Sequence, residues 1–72
     1  MEETIGLILK RMRTEQHLTQ SELSKRSGVS RSYIVEIESN VYTNITILIL
    51  CDFCKALNCT PNDLIPKNLY IK

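Results

Sequence analysis

The sequence predicts an all-α fold of five short helices, and three observations carry the prediction. Apolar residues recur at three- and four-residue spacing through most of the chain. Thr19, Ser30 and Thr60 stand where periodic segments begin, as helix caps do. Two Gly and two Pro in 72 residues leave little material for β-turns.

The first helix is expected over 4–15. At about 100° per residue, Ile5, Ile8, Leu9 and Met12 share one arc. Lys10, Arg11 and Thr14 lie opposite, Arg13 sits at the edge of the apolar stripe, and Leu7 falls off it toward solvent. The second helix spans 19–27. Thr19-Gln20-Ser21-Glu22 is a capping box, in which the Thr19 hydroxyl takes the Glu22 amide and the Glu22 carboxylate returns to Thr19. Gly28 supplies the stop, because it tolerates positive φ past the last turn.

The third helix spans 30–39, with Ser30 as its cap. Arg31, Ser32, Val35, Glu36 and Ser39 share one mostly polar arc, while Tyr33, Ile34, Ile37 and Glu38 share the other. The fourth spans 46–57, with Ile47, Leu50, Phe53, Cys54 and Leu57 on its apolar stripe. The run Ile45 to Leu50 is rich enough in β-branched residues for a strand. The helical spacing continues to Leu57 and no partner strand exists, so the helix is preferred. Thr60-Pro61-Asn62-Asp63 starts a short fifth helix: Thr cap, Pro at the first position, acid at the third. Pro66 ends it, and a tail with Leu69, Tyr70 and Ile71 follows.

Composition narrows the function classes. With 72 residues the expected organisation is one domain over 1–72, with a core at 4–65 and a tail at 66–72. A chain of this size buries only about 60% of its extended surface, which leaves little room for a walled catalytic cleft. At 43% apolar residues the chain is globular rather than disordered. Its longest apolar run, Ile47 to Cys51, is far short of the ~20 residues a membrane span needs. An acidic start, Glu2-Glu3, lacks a secretory signature, and three Cys do not make a closed disulfide framework. A cytoplasmic protein with reduced thiols is expected. Net charge is only +1, yet six of nine basic residues fall within the first 31, and local clustering makes an electrostatic footprint.

A helix, the turn Gly28-Val29-Ser30 and a second helix form a helix-turn-helix unit. Arg13, Leu18-Thr19-Gln20, Glu22-Leu23, Gly28-Val29-Ser30, Ile34, Ile37-Glu38 and Cys54-Lys55-Ala56-Leu57 carry a resemblance to the lambda-repressor-like (Xre/Cro-type) helix-turn-helix family, over residues 5–65. Ser24 and Ser27 stand where that family usually has Ala, and Asn40 where Gly is common. The loop Val41 to Ile45 is one residue longer than the commonest form, with Ile45 in place of Pro.

The resemblance implies a sequence-specific, double-stranded DNA-binding transcriptional regulator of bacteria or phage, a repressor or controller protein acting as a homodimer. An α-helix fits the major groove and reads base edges from near its N-terminus. The outward arc offers Arg31 for guanine, Val35 for a thymine methyl and Glu36 for cytosine N4; by resemblance Arg31, Ser32 and Glu36 hold the principal base-reading positions. By resemblance Gln20 contacts a phosphate and braces the first recognition residue. Ser30, Ser39, Thr43 and Asn44 are further phosphate candidates.

Several residues have competing readings. Arg13 and Glu38 border apolar stripes, and the family pairs them as an internal salt bridge; this structural role is preferred over a functional one. Cys51, Cys54 and Cys59 form C-x2-C-x4-C, but a metal site usually wants four ligands and the single His17 lies in another segment. No metal or cofactor is expected, and Cys54 is assigned to the core. Lys10, Arg11, Lys25 and Arg26 are as well read as solvated faces as DNA contacts. Tyr33 is expected to be partly buried, and Tyr42 stays ambiguous. Leu48, Leu64, Ile65, Leu69, Tyr70 and Ile71 exceed what a thin core uses and are assigned to a dimer interface rather than to tail packing. An antitoxin-type or adaptor protein acting through a protein partner is the alternative. An enzyme is not expected, since no nucleophile–base pair, metal cluster or phosphate loop is visible.

Overall fold

A computed structural model of the chain describes residues 4–41 and 45–67. Five helices follow in order: α1 Ile5–Glu15, α2 Gln20–Ser27, α3 Arg31–Glu38, α4 Ile47–Leu57 and α5 Pro61–Leu64. No strand occurs among the described residues, so the run Ile45 to Leu50 enters a helix.

Side-chain oxygens start four helices by accepting the third amide of the first turn. Thr4 takes Leu7 N–H at 3.2 Å, Thr19 takes Glu22 at 3.0 Å, Ser30 takes Tyr33 at 3.2 Å and Thr46 takes Ile49 at 3.3 Å. At α2 the box closes, with Thr19 N–H donating to Glu22 Oε1 at 2.9 Å. At α5 the Asp63 carboxylate does the work, accepting from the Thr60 amide at 3.0 Å and its hydroxyl at 3.1 Å. Gly28 ends α2 at φ 78° and Asn58 ends α4 at φ 55°, both left-handed.

The core joins all five helices and the two turns beside α2: Ile8, Leu9, Leu18, Leu23, Val29, Ile34, Ile37, Leu50, Phe53, Cys54, Leu57 and Leu64. Helix α3 is held between α1 and α2, while α4 packs on α2 and α5. The close approach of α1 to α3 depends on Gly6, where an added Cβ would overlap the Ile37 carbonyl. Thr4 Oγ1 donates to Asn40 Oδ1 at 2.6 Å across the same junction. Asn40 has φ 63°, a left-handed position that Asn tolerates better than most residues.

Two sequence assignments are corrected. Leu64 is 1% exposed and belongs to the core, so it offers nothing to a dimer interface. A one-turn helix has no period to reveal its inner face, and α5 turns this leucine toward α4 and α1. Ile47, placed on the apolar stripe of α4, is 65% exposed. As the first residue of α4 it sits at the helix end, and the packed stripe begins a turn later at Leu50.

Candidate nucleic-acid interface

The turn between α2 and α3 is fixed through both backbone groups of one residue, Val29. Ser24 Oγ donates to the Val29 carbonyl at 2.6 Å, and the Val29 amide donates to Ser27 Oγ at 3.1 Å. The Val29 side chain is buried. Sequence reasoning noted Ser24 and Ser27 only as standing in place of the usual Ala. Their departure from Ala was the available signal that they bind the turn.

This turn presents α3 with two distinct faces. Ile34 and Ile37 are completely buried on one side. Arg31, Ser32 and Val35 are exposed on the other, and Glu36 is half-buried beside them. Ser39, the residue that ends the helix, is exposed as well. Tyr33 is half-buried at the border. Ser30 is exposed and its oxygen is engaged in capping, which leaves its O–H proton to donate elsewhere.

Where the last turn of α1, the start of α2 and the C-terminal end of α3 meet lies a buried ion pair. Arg13 Nε donates to Glu38 Oε2 at 2.7 Å and Nη2 to Oε1 at 2.9 Å, a two-point match of guanidinium and carboxylate. Arg13 Nη1 also donates to the Leu18 carbonyl at 2.7 Å. The hydrogen bonds to Glu38 raise the affinity of the Arg13 guanidinium for its proton. Gln20 Nε2 adds a bond to Glu38 Oε1 at 3.1 Å.

Above the pair is an open cavity of about 400 Å³, lined by Lys10, Arg13, Thr19, Gln20, Ser21 and Arg31. Lys10 and Arg31 bring positive charge to it, the charge of Arg13 being matched by Glu38, and the positive end of the α2 dipole adds to them. Such a concavity suits an anion. Lys10 therefore joins the site, whereas nothing in the structure draws Lys25 or Arg26 to it. A second cavity, about 490 Å³ between α1 and α5, shares no residue with the first and carries mixed charge: Arg11, Lys67 and Asp63.

The remaining sequence candidates scatter. Thr43, Asn44, Tyr42, Leu69, Tyr70 and Ile71 lie outside the described residues. Leu48 is 75% exposed and Ile65 is half-buried against the core. Cys54 is buried, and Cys51 and Cys59 are half-buried. Burial pushes the Cys54 thiol up and the Cys59 thiol up to about 12, so both stay protonated at neutral pH. Among the described residues no group of three His, Cys, Asp or Glu side chains is placed to hold a metal. No helix there is long and apolar enough to cross a membrane.

A sequence profile of the helix-turn-helix family matches residues 9–64. The chain belongs to the helix-turn-helix family. Its five-helix architecture is shared with the restriction-modification controller protein C.AhdI from Aeromonas hydrophila, which is 30% identical, with 85% of this chain and 91% of that chain covered at a TM-score of 0.80. The master regulator for biofilm formation SinR, solved in complex with DNA, is 34% identical over 85% of this chain and 97% of that chain, with a TM-score of 0.82. The ImmF control region 10 kDa protein of Bacillus phage phi105 is 42% identical over 38 residues, 53% of this chain. That match spans 42% of the phage protein, less than half its length. These neighbours make the chain a lambda-repressor-like helix-turn-helix protein, as the sequence resemblance implied.

Proposed function

We propose that the chain is a sequence-specific, double-stranded DNA-binding transcriptional regulator that acts in the cytoplasm as a repressor or controller. The observation that carries this reading is the split of α3: a fully buried Ile34–Ile37 face supports an exposed face of Arg31, Ser32 and Val35, with Glu36 half-buried beside them. In the major groove Arg31 donates two hydrogen bonds to guanine O6 and N7, Val35 meets a thymine methyl and Glu36 accepts from cytosine N4. Ser32 bonds a base edge beside Arg31. Gln20, Ser30 and Ser39 take phosphate contacts, and the cationic cavity beside Gln20 receives one phosphate group. Thr43 and Asn44 remain in the proposal as phosphate contacts of the loop. The reading assigns binding and no reaction.

The same reading includes a homodimer on an inverted-repeat operator. Leu48, the most exposed large apolar side chain among the described residues, and half-buried Ile65 are the described residues proposed for its interface, with Leu69, Tyr70 and Ile71 of the tail. A two-fold dimer places recognition helices about 34 Å apart, one turn of DNA. SinR crystallised on DNA and the controller C.AhdI, so similar in fold, favour this function over an adaptor acting only on a protein partner.

The test is selection from a random duplex pool, with the winners rebound at two salt concentrations. An enriched inverted repeat spaced by one helical turn, bound more weakly at high salt, is the expected result. Weak, salt-sensitive binding with no enriched sequence would overturn the reading and turn attention to a protein partner.

A further inference from the structure

Gln20 belongs to two structures at once. It lines the cationic cavity beside Arg31 and Lys10, and its amide nitrogen is bound to the buried Glu38 carboxylate at 3.1 Å. Glu38 itself has no freedom, because Arg13 holds both of its oxygens at 2.7 and 2.9 Å. Oε1 thus accepts from a guanidinium and a carboxamide together. A carboxylate accepts hydrogen bonds and repels a carbonyl oxygen, so Gln20 is bound in one orientation only. Its nitrogen faces Glu38, and Oε1 with the second N–H is left for the cavity. Gln20 lies 18 residues from Glu38, on a different helix.

We propose that Glu38 is a positioning residue for the DNA interface: by binding Gln20 Nε2 it holds that carboxamide fixed beside Arg31 at the cavity. The proposal rests on the DNA-binding reading above. It gives the buried pair a task beyond stability, since Glu38 ends α3 while Gln20 begins α2. One carboxylate ties the phosphate-facing end of one helix to the recognition helix. A side chain fixed before binding loses less entropy on contact, so the anchor favours affinity.

Two readouts test this separately. The first is the Gln20 side-chain amide in the NMR spectrum of the native protein without DNA. One of the two Nε2 protons is expected well downfield of its random-coil position and close to the Arg13 Nη2 protons, which share Glu38 Oε1; both protons at random-coil shifts, with no contact to Arg13, would overturn the anchor. The second is a cycle of Gln20→Ala against the paired replacement Arg13→Met with Glu38→Leu, on the duplex selected from the random pool. Replacing both partners of a buried pair by apolar residues often preserves stability. Gln20→Ala is expected to weaken binding about tenfold, the scale of one charge-assisted hydrogen bond. The paired variant should lose the same factor, and adding Gln20→Ala to it should change nothing more. Native affinity in the paired variant, with Gln20→Ala still harmful, would make Glu38 purely structural. If the paired variant fails to fold, the native amide spectrum and Gln20→Ala decide alone, since Gln20 is only half-buried and its replacement leaves the ion pair intact. A pool without an enriched duplex would overturn the regulator reading and the interface role together. An anchored amide in that case would leave a structural bond only.

Discussion

Arg13 and Glu38, 25 residues apart, meet in a two-point ion pair at 2.7 and 2.9 Å with each residue 8% exposed. The pair joins the last turn of α1 to the end of α3, and through Leu18 and Gln20 it reaches the start of α2. Burial raises the stakes of such a contact in both directions. Removing one partner leaves an uncompensated charge, whereas removing both leaves none. Arg13→Ala or Glu38→Ala should each lower unfolding free energy by about 3–5 kcal/mol, read from urea denaturation. Arg13→Met with Glu38→Leu should stay near the native value. Equal losses for the single and paired variants would contradict the assignment.

Gly6 should tolerate no side chain. In an open helix Gly→Ala gains stability, but here the new methyl overlaps the Ile37 carbonyl. Gly6→Ala should cost about 1–3 kcal/mol, as other overpacked sites do, and shift thermal unfolding downward. A more stable Gly6→Ala protein would show that α1 and α3 do not approach as described.

His17 sits at φ 59° in the turn between α1 and α2, and it is exposed. The left-handed region disfavours a side chain with a Cβ, and Gly relieves that strain. His17→Gly should raise stability by about 1 kcal/mol, measured as the denaturation midpoint. A loss of stability would indicate an unrecognised role for the imidazole.

Acid should loosen two helix starts. The Thr19 backbone amide, then its hydroxyl, holds the Glu22 carboxyl below its ordinary range. The Thr60 amide and hydroxyl do the same for Asp63. A carboxyl with a depressed folded value supplies stability that is present above its unfolded value. That contribution is lost as pH falls through the folded value. Stability followed by denaturation should therefore decline below about pH 4, near the unperturbed carboxylate values. The decline should be shallower in Glu22→Gln and Asp63→Asn. Unchanged acid profiles in both variants would contradict the capping assignment.

Legibility in the sequence followed the range of the interactions. Helix starts were readable because Thr19 and Ser30 act on amides, and Asp63 on Thr60, within a turn of themselves. The two faces of α3 were readable because eight residues complete two turns of period. Leu64 was misplaced because four residues of α5 carry no period, and Ile47 because a helical wheel does not show where neighbours end. Gly6 against Ile37, Gln20 against Glu38 and Gln16 Nε2 on the Leu57 carbonyl at 2.8 Å all join distant segments. Spacing along one helix is silent about them. The Arg13–Glu38 pair was anticipated only because the family resemblance supplied it.

The central claim is that the exposed face of α3 reads bases, with Arg31 foremost. Its most direct test is a table of affinities for the selected duplex and each of its single-base variants, measured for the native protein and for Arg31→Ala. The account predicts that Arg31→Ala costs about 1–3 kcal/mol and loses preference at one guanine per half-site, while other positions keep theirs. Uniform weakening across every variant would make Arg31 a phosphate contact. Unchanged affinities throughout would remove α3 from the DNA.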